Sequence, residues 1–311
     1  MQILRLSVGD NIPDATTAAV AIGNFDGMHL GHQAVIAAMR EAAAMQRLTP
    51  TVLTFEPHPR RYFDKRHAPF HLERVTEKIR HLQALGVQRL VFLRFTAALA
   101  ALSAQAFVED ILLGTLAAKQ VTTGDNFAFG KGRAGDAALM TRLLAQRGAV
   151  HQRVAPVMWQ GQVCSSTAIR RALAAGDMAS ACGLLGHDYV LCARVQHGDK
   201  RGRLLGFPTA NLHFPEDLLL PRYGVYAVRA EAAGKVYDGV ANLGIRPMYH
   251  SATPLLEVHL FDASPGLYGQ KLRVALKAYM REEKRFASAE ALASQMAEDC
   301  TAARSILKEC S

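Results

Sequence analysis

The sequence has a single tryptophan, and aromatic residues make up only 7% of it. Its five cysteines are Cys164, Cys182, Cys192, Cys300 and Cys310, and no two of them sit at C-x-x-C spacing. An odd count without metal-type spacing argues against a disulfide framework or a structural zinc site and for reduced thiols. No apolar run reaches the roughly 18 residues that a membrane-spanning helix needs, so no membrane association is expected. The opening stretch, MQILRLSVGDNIPD, has no apolar signal core and carries acids early. A secretory leader is therefore not expected, and the cytoplasm is the expected compartment. No block of five or more basic residues occurs, and aromatics are not interleaved with charges. Nucleic acid is accordingly not an expected partner. There is no internal repeat and no low-complexity tract.

What remains is an ordinary globular composition: 311 residues, 50% apolar and 20% charged. At about 150 residues per domain, that length predicts two domains, each able to bury its own core. The net charge is +9. Divided at Gly186, the first part holds 20 basic and 13 acidic residues, or +7, and the rest 16 and 14, or +2. Such an excess favours an anionic partner, and without basic blocks a phosphorylated small molecule fits better than a polynucleotide. Nothing in the pattern fixes an oligomeric state beyond a monomer or weak self-association.

The rhythm changes near residue 187. Before it, short apolar runs alternate with helical patterns. AAVAIGNF, TVLTF (51–55), RLVFLRF (89–95) and VTTGDNFAFG (121–130) read as strands or strand ends. Helices are expected at 29–47 with Val35, Ile36, Met39 and Ala43 on one stripe, at about 76–85, after Ser103, and after Asp136. This alternation predicts a doubly wound parallel sheet. After Gly186 six short β segments follow without intervening helices, which predicts a small six-stranded antiparallel barrel. A helix is expected from Ser288, with Ala291, Met296 and Ile306 loosely periodic. The domains are thus read as 1–186 and 187–311.

Two regions carry chemistry. Gly23-Asn24-Phe25-Asp26-Gly27-Met28-His29-Leu30-Gly31-His32 lies between the first of these strands and its helix. Loops beyond the carboxyl ends of parallel strands bind ligands, and a helix N-terminus attracts anions. His29 and His32 are three apart and project from one side of the first turn. They could stabilise charge developing on a phosphate; the plain alternative is a tight turn with two solvated histidines. Ser166, Thr167 and Arg170 open a later helix and could form a second phosphate site, with an ordinary helix cap as the alternative for Ser166. The second region runs from Gly198 through Lys200 and Gly206 to Phe207-Pro208-Thr209-Ala210-Asn211. It is not a Walker A loop, although its glycines and basic residues could cradle phosphates. Thr209 and Asn211 are two apart, share a strand face, and could offer two oxygens to Mg²⁺; a basic turn before an edge strand reads equally from spacing. In LLEVHLFD, Leu255, Glu257, His259 and Phe261 face one side. A carboxylate there is costly without a role, unless it is a strand-surface glutamate.

The first stretch resembles the nucleotidylyltransferase superfamily, marked by H-x-G-H, and in particular its FAD synthetase branch. Thr54–Pro59, Gly124–Gly130 and Ser165–Arg170 fit the same branch. GRLLGFPTAN (202–211) resembles the riboflavin kinase signature, followed in order by Gly239–Pro247, Leu256–Leu260, Tyr268-Gly269 and Arg281–Phe286. Residues 15–305 are thus similar to the bifunctional bacterial riboflavin kinase/FAD synthetase family. The resemblance implies a nucleotidylyltransferase-type sheet and a kinase barrel with a terminal helix. It implies riboflavin, FMN and FAD as ligands, ATP as co-substrate and Mg²⁺ as cofactor. Gly23, Asn24, Asp26, His29, His32, Ser166, Thr167 and Arg170 would handle ATP in adenylyl transfer, and Asn126, Phe127 and Phe129 would contact flavin. In the kinase half, Gly198, Lys200, Gly206 and Pro208 would bind nucleotide, Thr209 and Asn211 the metal, and Arg285 flavin. Glu257 would be the general base for the ribityl 5′-hydroxyl. Met28, Met248 and the non-aromatic stretch Asp262–Leu267 depart from the family pattern. The competing class is a basic barrel that holds RNA or flavin without chemistry. Such a module calls for stacking aromatics on adjacent strands and no carboxylate facing the ligand.

Overall fold

A computed structural model describes residues 1–12, 16–64, 68–197, 206–248, 251–262 and 266–309. It divides into two compact units. One comprises Met1–His67 and Val75–Cys164, the other Ala68–Arg74 and Ser165–Ser311.

The first unit is built on six parallel strands: β1 (Gln2–Leu6), β2 (Ala18–Ile22), β3 (Thr49–Glu56), β4 (Arg89–Arg94), β5 (Ala118–Gly124) and β6 (Val150–Val154), in the order β1-β4-β3-β2-β5-β6. Every neighbouring pair is parallel. All five residues of β2 are buried, as a central strand covered on both faces requires. Ala18, Val20 and Ile22 enter one core cluster; Ala19 and Ala21 enter another. α1 (Leu30–Gln46) supplies the second cluster through Val35, Ile36, Met39 and Ala43, the stripe expected from sequence. α2 (Pro59–Phe63), α3 (Val75–Ala84) and α4 (Ala97–Ala101) follow. α5 (Ala104–Ala106), capped by Ser103, continues as a π-helical stretch at Phe107–Thr115. α6 (Ala137–Ala145) is capped by Asp136. β1 and β6, at the two edges of the sheet, were not expected from the sequence. A two-stranded hairpin, β7 (Met158–Trp159) and β8 (Gln162–Val163), completes this unit.

The second unit opens with α7 (Ser166–Ala175) and α8 (Met178–Leu185). Its strands are β9 (Tyr189–Gln196), β10 (Ala210–His213), β11 (Gly224–Ala232), β12 (Lys235–Met248), β13 (Ser251–Leu260) and β14 (Lys271–Arg281). They close as the barrel β10-β13-β12-β11-β14-β9, antiparallel throughout. α9 (Ala289–Glu309) packs on it through Asp299, Ala303 and Leu307, with the expected Ile306 partly buried beside them, whereas Ala291 is exposed. The helix has a polar anchor that periodicity overlooks. Asp299 is buried and accepts from Arg281 Nε and Nη2, at 2.8 and 2.6 Å.

The compact units part at Cys164/Ser165, earlier than the change of rhythm at Gly186. Three attachments explain the difference. The Arg222 N–H bonds to the Leu173 carbonyl of α7, and Gly176 lies against the Tyr279 ring. Residues 68–74 are tied in by the Phe70 and His71 N–H groups on the Asp217 carbonyl and by the Leu219 N–H on that of His71.

Candidate active sites

The loop from Gly23 to His29 leaves the carboxyl end of β2. Phe25 and Met28 hold positive φ values of 46° and 41° in this loop, and both side chains are almost completely buried. Non-glycine residues adopt such backbone only when their surroundings impose it. Two hydrogen bonds pin the turn: Thr54 Oγ1 and Lys78 Nζ both donate to the Asn24 carbonyl, at 3.1 and 2.8 Å. His29 is the N-cap of α1, its Nδ1 accepting from the His32 N–H at 3.3 Å. The two imidazoles stack with centroids 3.6 Å apart, and the Phe25 ring meets His32 edge-on. Gly31 leaves room for this arrangement, since a Cβ there would crowd the His29 ring at 3.1 Å. Burial above all, then the charges of His29 and Lys78, holds the His32 imidazole well below its ordinary range. His32 is therefore neutral at pH 7, and the expectation of charge stabilisation here narrows to hydrogen bonding and dipoles.

Beside the loop is a cavity of about 640 Å³. Gly23 and Asn24 meet the flavin candidates Asn126, Phe127 and Phe129 in its wall. The Phe127 and Phe129 rings are nearly parallel, with centroids 5.7 Å apart, and Phe129 is rooted in the core. The wall also holds Phe55, Phe63 and Phe95, and the basic side chains His58, Arg60 and Arg133. Those six were not among the expected site residues. Phe55 and His58 fall in the quoted Thr54–Pro59 motif, so that motif was the available signal. Phe63 and Phe95 carry none, because only the fold brings them to one wall. Asp26 is buried and lies outside the wall.

Ser166, Thr167 and Arg170 belong to the second unit. Ser165, not Ser166, caps α7 by accepting from the Ala168 N–H at 3.3 Å. The cap alternative for Ser166 is thereby corrected by one residue. Thr167 is exposed at the helix start. Arg170 Nε donates to the Phe70 carbonyl at 2.9 Å, and its guanidinium lies over the Phe70 ring.

On the barrel, strand register makes a site. Glu257 of β13 stands directly opposite Asn211 of β10 on one side and Asn242 of β12 on the other. Directly opposed residues share a face. The next register is the all-leucine row Leu212, Leu256 and Leu243, each fully buried. The carboxylate and two amides thus line the face opposite the leucine core. Asn211 is buried, and Thr209 is half-buried just before β10. Asn242 Nδ2 donates to Glu283 at 3.1 Å. Asn242 was quoted within Gly239–Pro247 but given no role, because cross-strand register cannot be read along one chain. Gly206 adopts φ 85°, and the Pro208 carbonyl contacts His259 Nδ1 at 2.9 Å. Arg285 is exposed after β14. Gly198 and Lys200 lie outside the described residues.

One unit with a parallel sheet and a histidine-bearing helix start, and another with a barrel that sets a carboxylate between two amides, define a two-site nucleotide-dependent transferase. A family model described as FAD synthetase matches residues 11–168, and one described as riboflavin kinase matches 185–307. The bifunctional riboflavin kinase/FMN adenylyltransferase of Escherichia coli K12 is 41% identical over 286 residues, covering 92% of this chain and 91% of that protein. The one from Pseudomonas fluorescens is 38% identical over 307 residues, covering 98% of each chain. A solved structure described as a macrolide-efflux protein from Streptococcus pneumoniae matches with a TM-score of 0.85 at 28% identity, covering 95% of this chain and 97% of that one. The chain belongs to the bifunctional riboflavin kinase/FMN adenylyltransferase family. It is an enzyme of flavin cofactor biosynthesis that phosphorylates riboflavin to FMN and adenylylates FMN to FAD. Among the described residues no helix is long and apolar enough to cross a membrane.

Proposed function

We propose that residues 1–186 carry FMN adenylyltransferase activity and residues 187–311 riboflavin kinase activity, with the sites divided as follows. In adenylyl transfer, a phosphate oxygen of FMN attacks the α-phosphorus of ATP and pyrophosphate leaves, with no covalent enzyme intermediate. Positioning and electrostatics suffice for such an in-line displacement. His29, neutral His32 and the α1 N-terminus donate to the phosphates, while Gly23, Asn24 and Asp26 shape the nucleotide loop. Ser166, Thr167 and Arg170 are assigned to the same ATP on the family motif. Flavin occupies the aromatic cavity, against Asn126, Phe127 and Phe129. The observation that supports this half is the meeting of the Gly23–Asn24 loop and the flavin candidates in one wall.

In the kinase half, Glu257 takes the ribityl 5′-hydroxyl proton as that oxygen attacks the γ-phosphorus of ATP and ADP leaves. The directly opposed Asn211 and Asn242 support this role. Mg²⁺ suits the donors on hand. Thr209 and Asn211 offer neutral oxygens, and Mg²⁺ binds through few protein ligands plus water and phosphate. Among the described residues no cluster of three His, Cys, Asp or Glu competes as a metal site. Bound there with ATP, the ion would neutralise charge on the transferring phosphates. Gly198, Lys200, Gly206 and Pro208 are assigned to the nucleotide and Arg285 to the flavin. Riboflavin, FMN, ATP and FAD, rather than nucleic acid, are the proposed partners, a monomer or weakly associating chain the proposed state, and the cytoplasm the proposed compartment. Incubation with riboflavin and Mg-ATP, followed by chromatographic separation of the flavins, is expected to yield FMN and then FAD. Unchanged riboflavin overturns the proposal.

A further inference from the structure

Lys78, the fourth residue of α3, is only 8% exposed. Its ammonium spends one of three N–H donors on the Asn24 carbonyl. Among the described residues no carboxylate pairs with it. The charge of Lys78 opposes protonation of His32 at the start of α1. Thr54, on β3, contributes a hydroxyl to the same carbonyl. A buried cation with no counter-ion is costly, and a fold that keeps one does so where a ligand delivers the opposite charge. Such a ligand has a route here. Asn24, which Lys78 holds, lines the 640 Å³ cavity, whose wall also carries Arg60 and Arg133.

We propose that Lys78 is the resident cation of the adenylyltransferase site, awaiting a phosphate oxyanion of the incoming ligands as its counter-ion. This rests on assigning adenylyl transfer to the Gly23–His32 loop. Two sources carry that oxyanion: the phosphate monoester of FMN and the polyphosphate of ATP.

The test uses the full chain with Lys78→Met, Lys78→Gln and, as a control, His29→Ala. Gln keeps a donor for the Asn24 carbonyl while removing the charge. Thermal melting is followed for the protein alone and with FMN, riboflavin or inorganic pyrophosphate, and FAD formation is measured from supplied FMN. Relief of an unpaired charge predicts that Lys78→Met melts no lower than the parent. FAD formation should fall on the order of 10²-fold in both Lys78 variants, with a raised KM for the ligand that supplies the oxyanion. Stabilisation by that ligand should shrink: loss confined to FMN marks the monoester, loss confined to pyrophosphate marks the polyphosphate. Riboflavin, which lacks the phosphate, should stabilise all forms alike. A Lys78→Met protein that melts lower while Lys78→Gln forms FAD at the parental rate makes Lys78 a loop strut and overturns the proposal, as does equal stabilisation of all forms by both phosphates. If His29→Ala also forms FAD normally, the assignment of the loop itself falls; if only the Lys78 variants are neutral, it stands.

Discussion

On the proposed division of labour, the two units hold a phosphate for attack with opposite materials. In the sheet unit the functional groups ride on a loop, and the loop's geometry is imposed. Two buried residues are forced to positive φ, one glycine makes room for a histidine ring, and two side chains converge on a single carbonyl. In the barrel the functional groups ride on strands, and their geometry follows from pairing. Glu257 meets Asn211 and Asn242 because antiparallel register aligns them, while the adjoining leucine row locks that register by burial. A loop site depends on particular contacts, each removable; a strand site depends on the sheet as a whole.

The sharpest break of this comparison comes from chemistry. Glu257→Gln keeps the shape of the row but removes the proposed base, so riboflavin phosphorylation is expected to drop by about 10²–10⁴ with little change in riboflavin binding. FAD formation from supplied FMN should be untouched, which steady-state assays of each half-reaction check. The converse, His29→Ala, removes a donor and the α1 cap together. FAD formation should fall by about 10²–10³ while FMN formation stays near normal. Equal loss of both products in either variant, in a folded protein, would erase the division of labour.

A third test bears on the strand site's dependence on the whole barrel. The Arg281–Asp299 pair is largely buried, with side-chain exposures of 19% and 8%. Asp299→Asn leaves the guanidinium with a weaker partner and is expected to cost about 3 kcal/mol in denaturant unfolding, loosening α9. Kinase activity should become heat-sensitive before FAD formation does. Preserved stability would mean that α9 adheres through Ala303 and Leu307 alone.

The smallest effect is in pH. His32 is held below its ordinary value of 6.5 mainly by burial. The unfolded chain takes up that proton first, so the stability contribution is complete above about pH 6.5 and is lost as the pH falls from there toward the folded value. FAD formation should therefore stay flat from about pH 8 to 6.5 on account of His32. A kcat/KM limb for FAD formation at 6.5 that disappears in a His32→Ala protein would show the imidazole titrating as if in solvent.

Much of this was legible in the chain. The central strands β2 to β5 announced themselves as apolar runs, and α1 through its stripe. β1 and β6 did not, because an edge strand is half solvated and its alternation is diluted by residues such as Arg5, His151 and Arg153. The α9 stripe was legible only in part, catching Ile306 but not the anchor Asp299, which no hydrophobic pattern marks. At the sites, the motifs carried the loop and Glu257, while Asn242, Phe63 and Lys78 acquire meaning only from register or from a shared wall. Helix α7 reads as a continuation of the α/β pattern, yet its attachments to Arg222 and Tyr279 put it with the barrel.

The short stretch 68–74 has a consequence for how the chain is made. It belongs to the barrel unit although the chain on either side of it belongs to the sheet unit. Its backbone partners, Asp217 and Leu219, leave the ribosome long after it does. The sheet unit can complete its own strands once β6 has emerged, but this strap waits for its backbone partners until the chain has passed β10. Synthesis from the N-terminus therefore finishes the two units unevenly. A single cut at Cys164/Ser165 or at Gly186 leaves the strap on the sheet piece, away from its backbone partners Asp217 and Leu219.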